Sequence, residues 1–474
     1  MGFLIYPIEQ LNDILTYKVC GVQFILIWLF AAAVFLTIKM NFINFRLFKD
    51  AFKTIIGVGV QKNSEGKSVV QISPLTAFIT QAAGNLGLGN IAGAAFALHA
   101  GGPGVLFWVF ISSFFFSIIK FCEITLGHKY RYIDEKGSVN GGMFYIMRDG
   151  LKDKGKILAK FGKNLAIISA TLTTVVILSW SFFQLNQVVV IITNGKHFYS
   201  ENGFSGEVIC CSIIMIFLAW LVLVGGIKRI GKLADAVVPI KALVYIGMCA
   251  IVIVKYHNNI IPSLEVILSE AFNTKGVLGG CAVSIVIAVQ RMMFASEAGV
   301  GTAALVHANS NIKRSSQQGL IAIIDCILVA VIICIGGFAV VVSGIEYVDT
   351  HIVGIMLIDA VFMSVHHWFH YVLVVIAFLF GFTVITSNGY AVQKSLGYLF
   401  GTKKDKFYLY LFLSISLFMS FYESLVLIKI FDVLTLLILI PNTIIVYLLA
   451  GEVKEDLDLY LSEKKRGTGS ISYN

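Results

Sequence analysis

The chain has 474 residues, 58% hydrophobic and 13% charged, with a mean hydropathy of +0.86. This composition excludes a water-soluble globular domain. The net charge of +9 does not point to nucleic acid, because Lys and Arg concentrate in alternate loops, which is a topology signal.

From the N-terminus, Glu9 and Asp13 precede any basic residue and no small-residue cleavage site follows, so no removable signal peptide is expected. Segment 8–20 reads as an interfacial or partly extracellular helix. Apolar runs then predict eleven transmembrane helices, near 21–40, 75–99, 104–126, 165–193, 207–225, 234–254, 277–306, 319–343, 366–393, 407–426 and 430–450. The expected fold is therefore an all-α integral membrane protein.

The intervening loops set its orientation. Basic residues crowd 39–67 (Lys39, Arg46, Lys49, Lys53, Lys62, Lys67), 129–163, 228–232, 313–314, 394–406 and 454–466. Segment 194–206 has only Lys196, and 344–365 has no Lys or Arg but carries Glu346, Asp349 and Asp359. Short cytoplasmic loops carry the Lys/Arg excess, so the N-terminus is expected outside and the C-terminus in the cytoplasm of a cell (inner) membrane. Segment 1–74 then holds an extracellular N-terminus, the leading helix and a cytoplasmic loop, 75–450 the membrane-embedded core, and 451–474 a cytoplasmic tail.

Two of the eleven runs are interrupted. Seven glycines fall between Gly84 and Gly104, where a membrane helix should be continuous, and Ser296-Glu297-Ala298-Gly299-Val300-Gly301-Thr302 breaks the run at 277–306. Glycine costs about 1 kcal/mol relative to alanine inside a helix, and hydrocarbon cannot satisfy freed backbone groups. Broken helices opening two five-span halves, about 75–254 and 277–450, are the sequence pointer to an inverted-repeat transporter with its site at the breaks.

At the first break, Gly84, Gly87 and Gly89 let the backbone leave helical geometry, and Asn85 and Asn90 add amides. The freed N–H groups and the positive end of the half-helix beginning near Asn90 suit a carboxylate, while freed carbonyls suit a bare cation. Tight helix packing through Gly89 and Gly93 is the bland alternative. Gly87-Leu88-Gly89-Asn90-Ile91-Ala92 also fits a loose dinucleotide pattern, but no strand precedes it.

Elsewhere, Glu297 is an intramembrane ionisable residue and hence either a ligand contact or a half-helix cap; Arg291 needs a different partner. Lys120 and Glu123 read as an (i, i+3) pair. Lys241 reads as snorkelling toward the cytoplasmic face or pairing locally. Gln184 and Asn186, mid-span, need partners, and Gln184 is the candidate for contacting substrate. Thr383, Thr386 and Ser387 offer hydroxyl oxygens that, with carbonyls near Gly84 and Asn85, could hold Na+, although such hydroxyls also bond back to their own helix. His366, His367 and His370 are placed at the extracellular edge. The eight cysteines read as small buried hydrophobes. No Ser/His/Asp set, metal-protease motif or P-loop occurs, so the chain is not expected to be an enzyme.

Taken in order, Gly-Leu-Gly-Asn-Ile-Ala-Gly (87–93), Gly101-Gly102-Pro-Gly-Val-Leu-Phe-Trp108, Lys120 with Glu123, Lys129-Tyr-Arg131, Gly141-Gly142-Met-Phe-Tyr-Ile146, Gln184-Leu-Asn186, Phe294-Ala-Ser-Glu-Ala-Gly-Val-Gly-Thr302 and Pro441-Asn442 resemble the alanine or glycine:cation symporter (sodium:alanine symporter) family from about residue 22 to 450. The resemblance implies a LeuT-type repeat of five plus five helices behind one extra helix, and symport of alanine or glycine with Na+. Na+ is a coupling ion here; no cofactor is implied. It maps substrate contacts to Gly87, Gly89, Asn90, Gln184, Phe294 and Ser296, with Gly299 in the second break. The candidate Na+ site comprises Gly84, Asn85, Thr383 and Thr386. The chain departs from the family pattern at Leu88, where Thr or Ser is usual, at Ala295-Ser296, and at Val384, where a second hydroxyl is lost. Fewer oxygen ligands weaken selective Na+ binding, which leaves coupling to H+ or another cation, or an altered substrate, as alternatives. A sensor would need an output domain, and a channel would need a continuous polar path.

Overall fold

The computed structural model describes residues 17–19, 22–58, 72–133, 139–193, 199–200, 203–204, 206–272, 280–347, 352, 354–419 and 424–466. Helices α1 (Phe24–Lys39) and α2 (Phe48–Ile55) lead into α3 (Pro74–Asn85), which Ser73 caps by accepting the Thr76 N–H, with Pro74 pre-set at the first helical position. Then come α4 (Leu88–Gly101), α5 (Val105–Lys129), α6 (Met143–Gly150), α7 (Lys156–Ile192), α8 (Gly206–Leu223), α9 (Gly226–Lys255) and α10 (Ile260–Phe272). After these follow α11 (Gly280–Ser296), α12 (Thr302–His307), α13 (Ile321–Ser343), α14 (Ile355–Met363), α15 (Trp368–Phe400), α16 (Asp405–Met419) and α17 (Ser424–Lys465). Two-residue hairpin strands occur at 18–23, 132–140 and 199–204.

Among the described residues, seven helices are long and apolar enough to cross a membrane: α5, α7, α8, α9, Ser315–Ser343, α15 and Val433–Lys465 within α17. Helices α8 and α9 keep most of their apolar surface outside the protein, with Ile213, Phe217, Leu243 and Val254 among the exposed side chains. In water that surface would be a liability; in lipid it is the solvated face. Helix α7 is the central post, packed on α15, α17 and α6, while α5 packs on α13 and α11.

Several sequence expectations change here. The run 344–365, taken as a loop, contains α14, and α10 fills part of the stretch between 254 and 277. Both are short for crossing a bilayer. Segment 8–20 lies outside the described residues except for Tyr17, Lys18 and Val19, of which Lys18–Val19 pair with Val22–Gln23. Lys62, Lys67, Lys196 and Asp349, which the loop-charge reading used, also lie outside them.

The basic segments meet at one end of the helices. Lys129 and Lys154 reach Glu452 at 2.8 and 3.0 Å, Lys464 reaches Asp50 at 2.7 Å, and Arg314 pairs with Glu463. At the opposite end the Trp108 indole donates to Ala271 O and Asn259 to Val342 O.

Candidate functional site

The first run breaks between Asn85 and Leu88. Helix α3 stops at Leu86 (φ −78°, ψ 77°), and Gly87 is extended (φ −110°, ψ −178°) before α4 starts. A Cβ on Gly87 would lie 2.5 Å from Gln184 Nε2 and 2.9 Å from Val384 Cγ2, so close approach of α7 and α15 requires glycine there. The break is held by side chains. Leu88 N–H donates to Gln184 Oε1 at 2.9 Å, and Asn90 Nδ2 donates to Asn85 O at 2.7 Å. Gln81 Nε2 donates to Asn85 Oδ1, and Asn85 Nδ2 donates to Asp325 Oδ2, both at 2.8 Å.

The second break runs from Glu297 to Gly301 and uses left-handed backbone, with φ of 55° at Glu297, 92° at Gly299 and 88° at Gly301. A non-glycine residue in that region is uncommon. Glu297 is fixed by accepting the Thr302 hydroxyl at 2.5 Å; it does not cap α12, whose N-cap is Gly301 with no side-chain hydrogen bond. Asn442, beside Pro441 in α17, donates to Val300 O at 2.6 Å and accepts from Ser169 at 3.0 Å.

Two buried lysines reach the ends of the broken helices, and both differ from the sequence reading. Lys120 does not pair with Glu123 among the described residues; it donates to Ser296 O at 2.7 Å and forms an ion pair with Asp325. Lys241 does not snorkel: its side chain is fully buried and donates to Leu86 O at 2.9 Å and to Thr383 Oγ1 at 2.5 Å. Solvation by carbonyl oxygens offsets part of the cost of burying each charge.

Between the breaks lies a cavity of about 100 Å³. Gly84, Asn85, Gly89, Asn90, Gln184 and Phe294 line it, among the residues singled out from sequence. Gly87, Ser296 and Gly299 do not; Ser296 bonds back to Met292 O at 2.7 Å, and Gly299 faces Leu439. Thr383 and Thr386 do not line it either. Thr383 donates to Leu379 O and Phe380 O at 3.0 Å, and Thr386 to Thr383 O at 2.9 Å, so both bond their own helix. Gly93, Phe96, Trp180, Phe183, Ala295, Ile333 and Val384 complete the wall together with Arg291 and Glu297. Arg291 sits 5.5 Å from the Phe96 ring centre. The aromatic residues were hidden in sequence because apolar side chains fill every span; Asp325 carried a readable signal, a lone acid within an apolar run.

Two broken helices enclosing a small, mixed polar and aromatic cavity at the centre of a helical membrane protein define a secondary transporter. The comparisons agree: the family model for the Sodium:alanine symporter family matches residues 6–473, and the chain belongs to that family, one of transporters rather than enzymes. The sodium/alanine symporter AgcS of Methanococcus maripaludis is 28% identical over 447 residues, 93% of this chain and 95% of that protein. The probable sodium/glutamine symporter GlnT of Bacillus subtilis is 28% identical, covering 98% of this chain and 92% of its own length. Among solved structures, MhsT in complex with L-phenylalanine matches with a TM-score of 0.59 at 12% identity, covering 80% of this chain and 89% of MhsT. That likeness concerns the fold, which is LeuT-like.

Proposed function

We propose that the chain is a symporter bringing a small neutral amino acid, alanine or glycine, into the cell together with a cation by alternating access. The observation that carries this is the cavity itself, about 100 Å³ between the two breaks, against roughly 300–1,000 Å³ for sites that hold drug-sized ligands. Its polar groups are those of the first break, where the α4 N-terminus suits a carboxylate, with Gln184 of α7 and with Arg291 and Glu297 beside the second break; the rest of its wall is apolar or aromatic. Gly89, Asn90 and Gln184 contact the substrate in this reading and Phe294 closes over it. Gly87 sets the backbone, while Ser296 and Gly299 shape the second break. The small volume favours alanine or glycine, as the AgcS name has it, over the larger glutamine in the name of GlnT.

Eleven spans, with repeats at about 75–254 and 277–450 following the leading helix, fit the order of the helices. The shared end of the basic segments is the cytoplasmic side, which puts the N-terminus outside and the C-terminus inside. Na+ at Gly84, Asn85, Thr383 and Thr386 is the coupling ion that the family suggests. A specific observation favours a second reading, H+ as the coupling ion: a lysine ammonium already bonds the oxygens at that place. Competition tests the substrate assignment. Unlabelled alanine and glycine should suppress uptake of labelled alanine by the reconstituted protein, and glutamine should not; suppression by glutamine at equal concentration contradicts the small-substrate reading.

A further inference from the structure

Lys241 and Lys120 perform parallel tasks in different surroundings. Each donates to a carbonyl where a broken helix ends, Lys120 to Ser296 O and Lys241 to Leu86 O. Lys120 is neutralised by Asp325. Lys241 makes no ion pair among the described residues. Its Nζ is held by the Leu86 carbonyl, by the Thr383 hydroxyl and by the face of Phe380, whose ring centre is 4.4 Å away. A carbonyl from the end of a half-helix, a hydroxyl from a neighbouring helix and an aromatic face are what a monovalent cation would be offered there. The tether places a positive charge among the oxygens that would otherwise coordinate Na+.

Helix α9 packs against α3, α8, α13, α14 and α15. The buried titratable side chains on those elements are Asp325 and Cys326 of α13, Asp359 of α14 and Tyr390 of α15, with Tyr245 and Cys249 on α9 itself. Helix α3 carries no titratable side chain. None of these groups bonds Lys241 Nζ; Asp325 is engaged by Lys120 and Asn85, and Asp359 by His370 at 3.0 Å. The charge on Lys241 therefore has no fixed counter-charge, and the group that can change charge at this position is its own amine.

We propose that Lys241 replaces Na+ at the first break as a tethered cation and that its proton is the coupling ion, an inference resting on the symport reading above. With the proton bound, the ammonium ties the end of α3 to α15 through Leu86 O and Thr383 Oγ1. In the inward-facing state Nζ gives that proton to cytoplasmic water, the neutral amine holds the two helices less strongly, and the amine takes a proton from the outside when the site next faces out. One proton enters per cycle, and no other ion is required at this position.

The test uses the full chain in proteoliposomes and in detergent. An inward gradient of one pH unit, with no Na+ present, should support up to about tenfold accumulation of labelled alanine or glycine for one proton per substrate. An inward Na+ gradient at equal pH should support none. Accumulation that requires the Na+ gradient overturns the proposal. Accumulation under neither gradient overturns the symport reading, and the role of Lys241 is then decided without substrate, by thermal unfolding in NaCl against choline chloride at equal ionic strength. The wild type should show no Na+-specific shift, while Lys241→Met should be stabilised by Na+, because the oxygens are released. A Na+-specific shift in the wild type as large as that in Lys241→Met overturns the tethered-cation proposal. Should Lys241→Met not fold, the wild-type arms still decide: a Na+-specific shift there counts against the proposal and its absence supports it.

Discussion

The Gln184 side chain, on the central post α7, accepts the Leu88 N–H at 2.9 Å and so supports the first residue of the half-helix that faces the cavity. The same amide packs 2.5 Å from where a Cβ on Gly87 would stand. One glutamine thus both fixes the break and borders the cavity. Gln184→Leu should leave the Leu88 N–H buried without an acceptor, at about 1–3 kcal/mol. The expected result is a loss of alanine affinity of about tenfold or more, read by binding or by the uptake KM. Wild-type affinity in a folded Gln184→Leu protein would remove Gln184 from the site.

Gly87 and Gly93 separate backbone demand from cavity space. Gly87→Ala places a methyl against Gln184 and Val384 and should lower both melting temperature and uptake. Gly93→Ala meets nothing within 4 Å and should gain helix stability, by up to about 1 kcal/mol. Its methyl enters the cavity wall, so the preference should move from alanine toward glycine. Relative uptake of the two labelled substrates reads this, and an unchanged ratio would place the substrate elsewhere.

Asp325→Asn removes the charge that neutralises Lys120. Removing one partner of a buried ion pair costs roughly 3–5 kcal/mol, so the single variant should unfold at markedly lower temperature. The double variant Lys120→Met with Asp325→Asn should regain part of that loss, since it removes the unpaired charge while the amide oxygen at position 325 still accepts from Asn85. A double variant no better than Asp325→Asn would show that the pair is not the unit that matters.

Asn442→Leu removes the donor to Val300 O, inside the left-handed turn of the second break. A lost bond there should cost about 1–3 kcal/mol and raise hydrogen exchange at Gly299–Thr302 more than at α7. Equal protection at both places would show that the turn is held by Glu297 and Thr302 alone.

Much of this organisation could be read from residues. Glycines beside Asn85 and Asn90, and again beside Glu297, are expensive in a membrane helix unless the backbone is meant to open, so both breaks were visible. Gln184 stood out as a buried amide in need of a partner. What sequence hid was pairing at long range. Lys120 and Glu123 sit at helical spacing, and nothing local shows that Lys120 turns to Asp325 more than two hundred residues on. A lone lysine within an apolar span reads as snorkelling to the membrane surface, whereas packing by α3 and α15 encloses Lys241. Helices α10 and α14 escaped because they are too short to register as spans.

The most direct test of the account is concentrative uptake. Purified protein in sealed proteoliposomes, given labelled alanine or glycine and an inward cation gradient, should accumulate the label above its outside concentration and lose that accumulation when the gradient is collapsed. Uptake that never exceeds equilibration, with either a proton or a Na+ gradient imposed, would contradict it.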